Sequence, residues 1–147
     1  MIYLDTSALT KAYVPELASD EVYALLSTAT ETIALSSLSL LELRCALARR
    51  TRDKTLAEFD AQRVWSLFES DVADGAFEVL PVHDDDVLAA HRLIDQVKPL
   101  ALKALDALHL AVAKRARVSR FSSADTQQIA AARALQMKVI AIGSSPL

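Results

Sequence analysis

The alternation of short apolar segments with longer helical patterns is the feature that most restricts the fold of this sequence. Strands separated by helices in this way require right-handed crossover connections and a parallel sheet that is covered on both faces. The sequence therefore predicts a single α/β domain over residues 1–147. Strands are predicted in the apolar opening before Asp5 and over residues 32–35, 77–82, 120–122 and 138–142, and helices from Ser19 onward and over residues 8–14, 38–50, 56–73, 87–97, 100–117 and 125–137.

The composition argues against several classes of protein. A net charge of −3 argues against binding nucleic acid through bulk positive charge. Aromatic residues make up only 5% of the chain, which argues against a base-stacking surface. The two glycines, Gly75 and Gly143, cannot form a phosphate-binding glycine loop, and the sequence has neither a serine-hydrolase elbow nor a zinc-ligand spacing. Any contact with nucleic acid is therefore expected to be local.

The single cysteine, Cys45, excludes an internal disulfide and is expected to be a small core residue. The N-terminus lacks the basic segment of a signal peptide, and no apolar run approaches the roughly 18 residues of a membrane span. These observations predict a cytoplasmic protein with no membrane association.

Four carboxylates stand out because of where they lie: two follow predicted strands, and two lie within predicted apolar helices. They are Asp5 and Asp125, and Glu42 and Asp106, respectively. Helices that are apolar nearly all round belong in the interior, where an unpaired ionised carboxylate is strongly unfavourable. Something must therefore compensate each charge.

Simpler explanations exist for these acids. Asp5 and Asp125 suit helix N-caps, and Glu42 completes a Ser-x-x-Glu capping box. Asp106 has no such explanation because it sits well inside its predicted helix, although a pairing with Lys103 would place it on the surface.

A functional interpretation brings the four carboxylates together. If the first, second and fourth strands are neighbours, all four can face the crevice beyond the carboxyl ends of the strands, where α/β sheets bind ligands. Carboxylates brought together in this way repel one another, so the cluster needs protons or a divalent cation. The metal-free carboxylates are therefore expected to have raised pKa values. Oxygen ligands favour Mg²⁺ or Mn²⁺, which can activate water for phosphodiester cleavage. The hydroxyl residues expected to orient the acids are Thr6, Ser7 and Ser123. Two basic side chains, Arg44 and Lys103, either contact a substrate phosphate or are solvated.

Three further features receive structural interpretations. The acids Asp84–Asp86 stand at a predicted helix start, where the positive end of the helix dipole accounts for them. His109 is expected to be a hydrogen-bonded core residue rather than a metal ligand. Trp65 is expected to pack within the chain, with an interface to another subunit as the alternative.

Four segments, taken together, resemble a known family. They are Asp5-Thr6-Ser7-Ala8-Leu9, Leu40-Leu41-Glu42-Leu43-Arg44, Leu105-Asp106-Ala107-Leu108-His109-Leu110-Ala111 and Phe121-Ser122-Ser123-Ala124-Asp125. In order and spacing they resemble the acidic motifs of PIN-domain ribonucleases, in particular the VapC-like toxins of prokaryotic toxin–antitoxin systems.

The resemblance implies a three-layer α/β fold with a five-stranded parallel sheet in the order 3-2-1-4-5. It also implies Mg²⁺- or Mn²⁺-dependent endonucleolytic cleavage of RNA, with the metal held by Asp5, Glu42, Asp106 and Asp125. The implied partners are RNA, a second copy of the chain in a homodimer, and a cognate antitoxin that covers or enters the acidic groove. The chain departs from the family at two positions, neither of which changes one of the four acids: Ser123 replaces a usual threonine and keeps the hydroxyl, and Gln136 replaces a frequent glycine.

Other functions stay open at this stage. A phosphoacceptor receiver or a haloacid-dehalogenase-like phosphatase also places an aspartate after a strand. However, a receiver has an acidic pair near its first strand, and the phosphatase has Asp-x-Asp, whereas Asp5 is followed by Thr6 and Ser7. A PIN-like module that binds RNA or an antitoxin without cleaving RNA is a further alternative.

Overall fold

Residues 1–143, which the computed structural model of the protein describes, form a five-stranded parallel sheet with helices on both faces. The strands are β1 (Ile2–Leu4), β2 (Ile33–Ser36), β3 (Glu78–Leu80), β4 (Arg120–Ser123) and β5 (Val139–Ala141). The helices are α1 (Thr6–Tyr13), α2 (Ser19–Thr28), α3 (Ser37–Arg52), α4 (Glu58–Ala73), α5 (Asp84–Gln96), α6 (Ala104–Arg115) and α7 (Thr126–Ala134). The strand order is β3-β2-β1-β4-β5, which confirms the predicted order. It excludes the receiver alternative, since receivers have the order 2-1-3-4-5.

Strand β1 is the central strand, and its side chains divide the core into two halves. It pairs with β2 on one side and β4 on the other, and successive side chains point to opposite faces. Ile2 and Leu4 pack in the core formed with α1 to α4. Tyr3 points to the opposite face, where it stacks on Phe121 at 5.4 Å in the core formed with α5 to α7. The two cores account for the predicted three-layer arrangement.

The carboxyl ends of β1 and β4 meet at the same edge of the sheet. Leu4 is in register with Ser122, and the Asp5 N–H donates to the Ser122 carbonyl at 3.0 Å. Helices α1 and α7 begin directly beyond these strands. Their N-cap residues are therefore held near each other at the crevice that the sequence predicts as the ligand site.

Helix α3 is less buried than its sequence predicts. Its buried residues are Ser39, Leu43 and Leu47, whereas Leu41 is 63% exposed. Cys45 is exposed, so the expectation of a core cysteine was wrong. The cause is that α3 packs through one face only, and Cys45 lies on the other side of the helix.

The start of α6 differs from the prediction in a way that affects the site. The helix was expected to begin at Leu100, but it begins at Ala104. Pro99 has no N–H to donate, and the N–H groups of Leu100 and Leu102 bond to carbonyls two or three residues earlier, as in turns. Asp106 therefore lies in the first turn of α6 and not well inside it.

The acids at the start of α5 have the structural role predicted for them. Asp84–Asp86 lie in the first turn of the helix, where the helix dipole favours negative charge. Asp86 also accepts from the Arg115 Nε at 2.7 Å and from the His83 N–H at 2.8 Å. Burial alone would raise the pKa of Asp86, but these donors outweigh it and lower the pKa. The ion pair fastens α5 to α6.

Two other sequence features have clear structural settings. Trp65 is half-buried and packs on Phe68, with ring centroids 5.7 Å apart, which confirms packing within the chain. Gln136 has a φ of 60°, a left-handed conformation that glycine adopts without strain. That backbone geometry is consistent with the frequent glycine at this position in the family that the sequence resembles.

No helix within residues 1–143 is both long enough and apolar enough to cross a lipid bilayer.

Candidate active site

Asp5 is held at the junction of β1 and α1 with one of its oxygens unpaired. Its Oδ1 accepts from the Ala8 N–H at 2.9 Å and from the Ser7 hydroxyl at 2.7 Å, so the N-cap explanation is correct. Its Oδ2 is buried and has no hydrogen-bond partner within residues 1–143. Burial raises the pKa of Asp5, and the nearby Ser123 hydroxyl, the Ala8 N–H and the Ser7 hydroxyl, which favour the carboxylate, offset only part of this effect. A buried oxygen of this kind is suited to a cation or a proton.

Asp106 and Asp125 stand on the other side of the same crevice. Asp125 caps α7, its Oδ1 accepting from the N–H groups of Gln127 and Gln128 at 2.8 and 2.9 Å. The pKa of Asp106 is raised, first by burial and then by repulsion from the charges of Asp125 and Asp5. The charges of Asp125 and Asp5 therefore act on Asp106, and a shared role of the three aspartates as metal ligands stays a prediction.

Glu42 has partners that its local sequence does not indicate. Its Oε2 accepts from the Thr6 hydroxyl and from the His109 Nε2, each at 2.5 Å. The capping-box explanation was wrong because α3 begins at Ser37, capped by Ser36, and Glu42 lies in its second turn. Burial alone would raise the pKa of Glu42, but the His109 and Thr6 donors lower it. The expectation of a raised pKa was therefore wrong for this acid.

His109 links Glu42 to the centre of the sheet. It is 2% exposed, and its Nδ1 lies 2.6 Å from the hydroxyl of the fully buried Tyr3. Burial raises the pKa of Tyr3 well above its ordinary value, so the phenol stays protonated. Because the Glu42 carboxylate can only accept, the imidazole donates through Nε2. The predicted core histidine is confirmed, and its spacing of three residues from Asp106 could have indicated that it faces the site.

The predicted hydroxyl residues surround the acids. Besides its bond to Asp5, the Ser7 hydroxyl accepts from the Ala124 N–H at 2.8 Å, and the Ser123 hydroxyl accepts from the Asp125 N–H at 3.0 Å. Thr6 contacts Glu42, as described above. These contacts tie the loop after β4 to the start of α1, and a role in orienting metal ligands stays a prediction.

The two predicted phosphate-contacting cations lie in different environments. The Arg44 guanidinium lies 5.2 Å from the centre of the Trp65 ring, on the α4 side of α3. Lys103 immediately precedes α6, and its positive charge acts to lower the pKa of Asp106, against the larger effects that raise it. Lys103 is therefore the one of the two that lies near the acids, and contact of either with a phosphate stays a prediction.

The donor chemistry of the crevice fits a hard divalent cation. Carboxylate oxygens are the ligands that Mg²⁺ and Mn²⁺ prefer, and the unpaired Asp5 Oδ2 supplies a buried one. Within residues 1–143, however, no group of three or more acidic, histidine or cysteine side chains is placed so that it could hold a metal ion. Glu42 is directed toward Thr6 and His109, and the gathering of all four acids around one ion stays a prediction.

Comparisons with known proteins agree with this fold. The sequence matches the PIN domain family over residues 2–134, and no curated protein sequence matches it. The structure is similar to Mycobacterium tuberculosis VapC20, a sarcin-ricin loop cleaving toxin, with a TM-score of 0.73, 16% identity, and 99% of this chain and 100% of that chain covered. It is also similar to FitAcB from Neisseria gonorrhoeae (TM-score 0.73, 22% identity, coverage 95% and 96%). A toxin-antitoxin complex from Klebsiella pneumoniae is similar as well (TM-score 0.65, 18% identity, coverage 95% and 96%).

Proposed function

The chain belongs to the PIN domain family, and on this premise we propose that it is a Mg²⁺- or Mn²⁺-dependent endoribonuclease. The observation that carries the proposal is the proximity of Asp5 and Asp125, at the ends of β1 and β4, to Asp106 in the first turn of α6, with raised pKa values at Asp5 and Asp106 and a buried, unpaired Asp5 oxygen. Carboxylates gathered in this way need a counter-charge. The similar VapC20 is a sarcin-ricin loop cleaving toxin.

The residues that would hold the metal are Asp5, Glu42, Asp106 and Asp125. When bound, the metal would activate a water molecule and neutralise the charge that develops on the phosphodiester. Ser7 and the Ala8 N–H fix one oxygen of Asp5 and leave the other for the ion.

Two side chains also fix the carboxylate of Glu42. Thr6 and His109 both bind its Oε2. These contacts hold the carboxylate in one orientation, with Oε1 as its remaining oxygen. Such supporting contacts orient ligands and tune their basicity.

We propose that the chain acts as the toxin of a toxin–antitoxin pair, with a cognate antitoxin and a second copy of the chain as its partners. The support is the similarity to a toxin-antitoxin complex over nearly the whole of both chains. An antitoxin that covers the acidic crevice would block access of RNA to the proposed metal ligands.

Incubation of the purified chain with total RNA and Mg²⁺ tests the nuclease proposal. We expect new RNA ends at a limited set of sites, mapped by sequencing, and growth inhibition on expression that co-expression of a small neighbouring reading frame relieves. Intact RNA under conditions where Mn²⁺ binding is demonstrated would support the inactive-module alternative. Hydrolysis of a small phosphomonoester without RNA cleavage would support the phosphatase alternative.

The bond from His109 to Glu42 predicts a positioning role that can be measured through the metal. In His109→Leu, the Glu42 carboxylate loses a donor, and we expect Mn²⁺ affinity and RNA cleavage to fall about 10- to 100-fold, as for other residues that support metal ligands. His109→Gln keeps an N–H donor and should recover much of the Mn²⁺ affinity. Electron paramagnetic resonance of free Mn²⁺ gives the dissociation constant directly.

The matched control is His91→Leu, because His91 is exposed on α5. Equal losses of affinity in the leucine and glutamine variants of His109 would point to general disruption of the core. Unchanged Mn²⁺ affinity in both would contradict the positioning role.

A further inference from the structure

A cleft of about 690 Å³ runs from the acidic site along α3. At one end it is lined by Thr6, Ser7 and Glu42, and at the other by Arg49 and Arg52. A second cleft, of about 250 Å³, is lined by Ser7 and Asp125 together with Arg49. The Arg49 side chain therefore borders both approaches to the acids.

The spacing of these residues in the sequence explains how they come to share one cleft. Arg49 follows Glu42 by seven residues, and at about 100° per residue the two lie within about 20° of each other around the axis of α3. The same seven residues separate them by about 10 Å along the axis. Cys45 and Ala46 lie between them on this face and line the cleft as well. The negative and positive ends of the cleft are thus two points on one stripe of a rigid helix.

Unlike Arg50 and Arg52, Arg49 has no acidic partner within residues 1–143. The nearby Arg50 binds Glu16 at 2.6 Å, and Lys11 binds the same carboxylate at 3.0 Å. Arg52 lies 3.7 Å from Asp53, with both side chains more than half exposed. Arg49 is exposed and forms no ion pair within residues 1–143. Its charge is therefore available to an anion that enters the cleft.

The overall charge makes such a local cation important. The chain has a formal net charge of −3, and carboxylates line both clefts, Glu42 the first and Glu16 and Asp125 the second, so a polyanion gains nothing from bulk attraction. The negative end of the helix dipole explains a basic residue anywhere in the last turn of α3. It does not explain why Arg49 lies on the same face as Glu42, and a ligand that spans the cleft does.

We propose that Arg49, with Arg52 beside it, binds a backbone phosphate of single-stranded RNA that neighbours the phosphate being cleaved. This inference rests on the proposed ribonuclease function and adds a substrate subsite to it. The guanidinium group is suited to this role because its planar donors can bind two phosphate oxygens at once. The RNA backbone would then follow the exposed face of α3 from the acids toward its C-terminus.

Equilibrium binding of RNA, separated from cleavage, tests the subsite. The parent protein carries Asp106→Asn, so that a fluorescein-labelled single-stranded RNA stays intact in Mg²⁺ during anisotropy titrations. Adding Arg49→Gln should raise the RNA dissociation constant about tenfold, the effect of one charged hydrogen-bonded contact. The slope of log affinity against log salt should become shallower by about 0.7, the value for one phosphate contact on a single strand. Adding Arg49→Lys should keep the slope.

The matched control is Arg92→Gln, since Arg92 is exposed on α5, away from the cleft. It removes the same charge and should leave both affinity and slope unchanged. Equal weakening by Arg92→Gln, or an unchanged slope with Arg49→Gln while the wild-type chain cleaves RNA, would overturn the subsite and leave the nuclease function standing. A wild-type chain that neither binds nor cleaves RNA would overturn both. Circular dichroism of each variant verifies the fold.

Discussion

Replacing Asp106 with asparagine should lower RNA cleavage by about 10³-fold or more, the rate equivalent of several kcal/mol of lost metal-assisted stabilisation. Asp106 is half-buried in the first turn of α6 and shares its crevice with Asp125 and Asp5. Asparagine has nearly the same shape but carries no charge, so it weakens metal binding without removing packing. Cleavage of a labelled RNA by the purified variant, over a range of Mg²⁺ concentrations, measures the effect.

The same substitution should stabilise the metal-free fold. The pKa of Asp106 is raised by burial and by like charges, which means that its ionised form opposes folding once the pH rises above that pKa. Removing the charge should therefore increase the free energy of unfolding at neutral pH, by about 0.5–2 kcal/mol, the usual range for a stabilising substitution. Urea denaturation in EDTA measures this change.

Asp85→Asn is the matched control, because Asp85 is exposed in the first turn of α5. It removes a charge that the helix dipole favours, so it should lower stability slightly and leave cleavage unchanged. Undiminished cleavage by Asp106→Asn would rule out the proposed site. A loss of stability in that variant would show that Asp106 serves the fold and not a metal.

The strands were predicted from the local sequence, and the strand order was predicted from the resemblance to the PIN family. Strands β1 and β2 are buried and mostly apolar, and the ends of β1 and β4 place Asp5 and Asp125 at one edge of the sheet whatever the details of packing. The start of α6 was misplaced because apolar residues before Ala104 continue a helical pattern that the backbone does not follow. Exposure of Cys45 was missed because an apolar sequence does not reveal which face of α3 lacks a partner.

The parts of the site that were missed depend on contacts between distant segments. The bond between Glu42 and His109 joins residues 67 positions apart, and no periodic pattern encodes such a pairing. The same contact explains why Glu42 has a lowered pKa while Asp5 and Asp106 have raised values. The sequence predicts crowding of like charges but cannot identify the one of the four acids that accepts hydrogen bonds from His109 and Thr6.

The proposed metal also has a thermodynamic signature that is independent of activity. A cation that binds the folded chain and not the unfolded chain stabilises it by about 2.7 kcal/mol at 100 times its dissociation constant. We therefore expect the unfolding temperature to rise on titration with Mn²⁺ and to fall again in EDTA. Asp106→Asn should show a much smaller rise.

This stabilisation by Mn²⁺ should depend on pH in a defined direction. The ion must displace protons from Asp5 and Asp106, whose pKa values are raised in the metal-free protein. Without metal, protonation of these two acids removes charges that oppose folding. This contribution to the free energy of unfolding is present at low pH and is lost as the pH rises through their raised pKa values. The stabilisation by Mn²⁺ should therefore become smaller as the pH falls through the same range. This decrease should start at a higher pH than it would for aspartates with ordinary pKa values.

Removal of divalent ions should abolish RNA cleavage, and addition of Mg²⁺ or Mn²⁺ in excess over the chelator should restore it. The physical reason is that the four carboxylates without a cation present only negative charge to the phosphodiester, with nothing to activate water or to accept the developing charge. Gel analysis of RNA cleavage in excess EDTA, before and after metal is returned, measures the effect, and the Asp106→Asn protein serves as the inactive reference. Cleavage that persists in excess EDTA, or a wild-type unfolding temperature that does not respond to Mn²⁺, would contradict the proposed metal site.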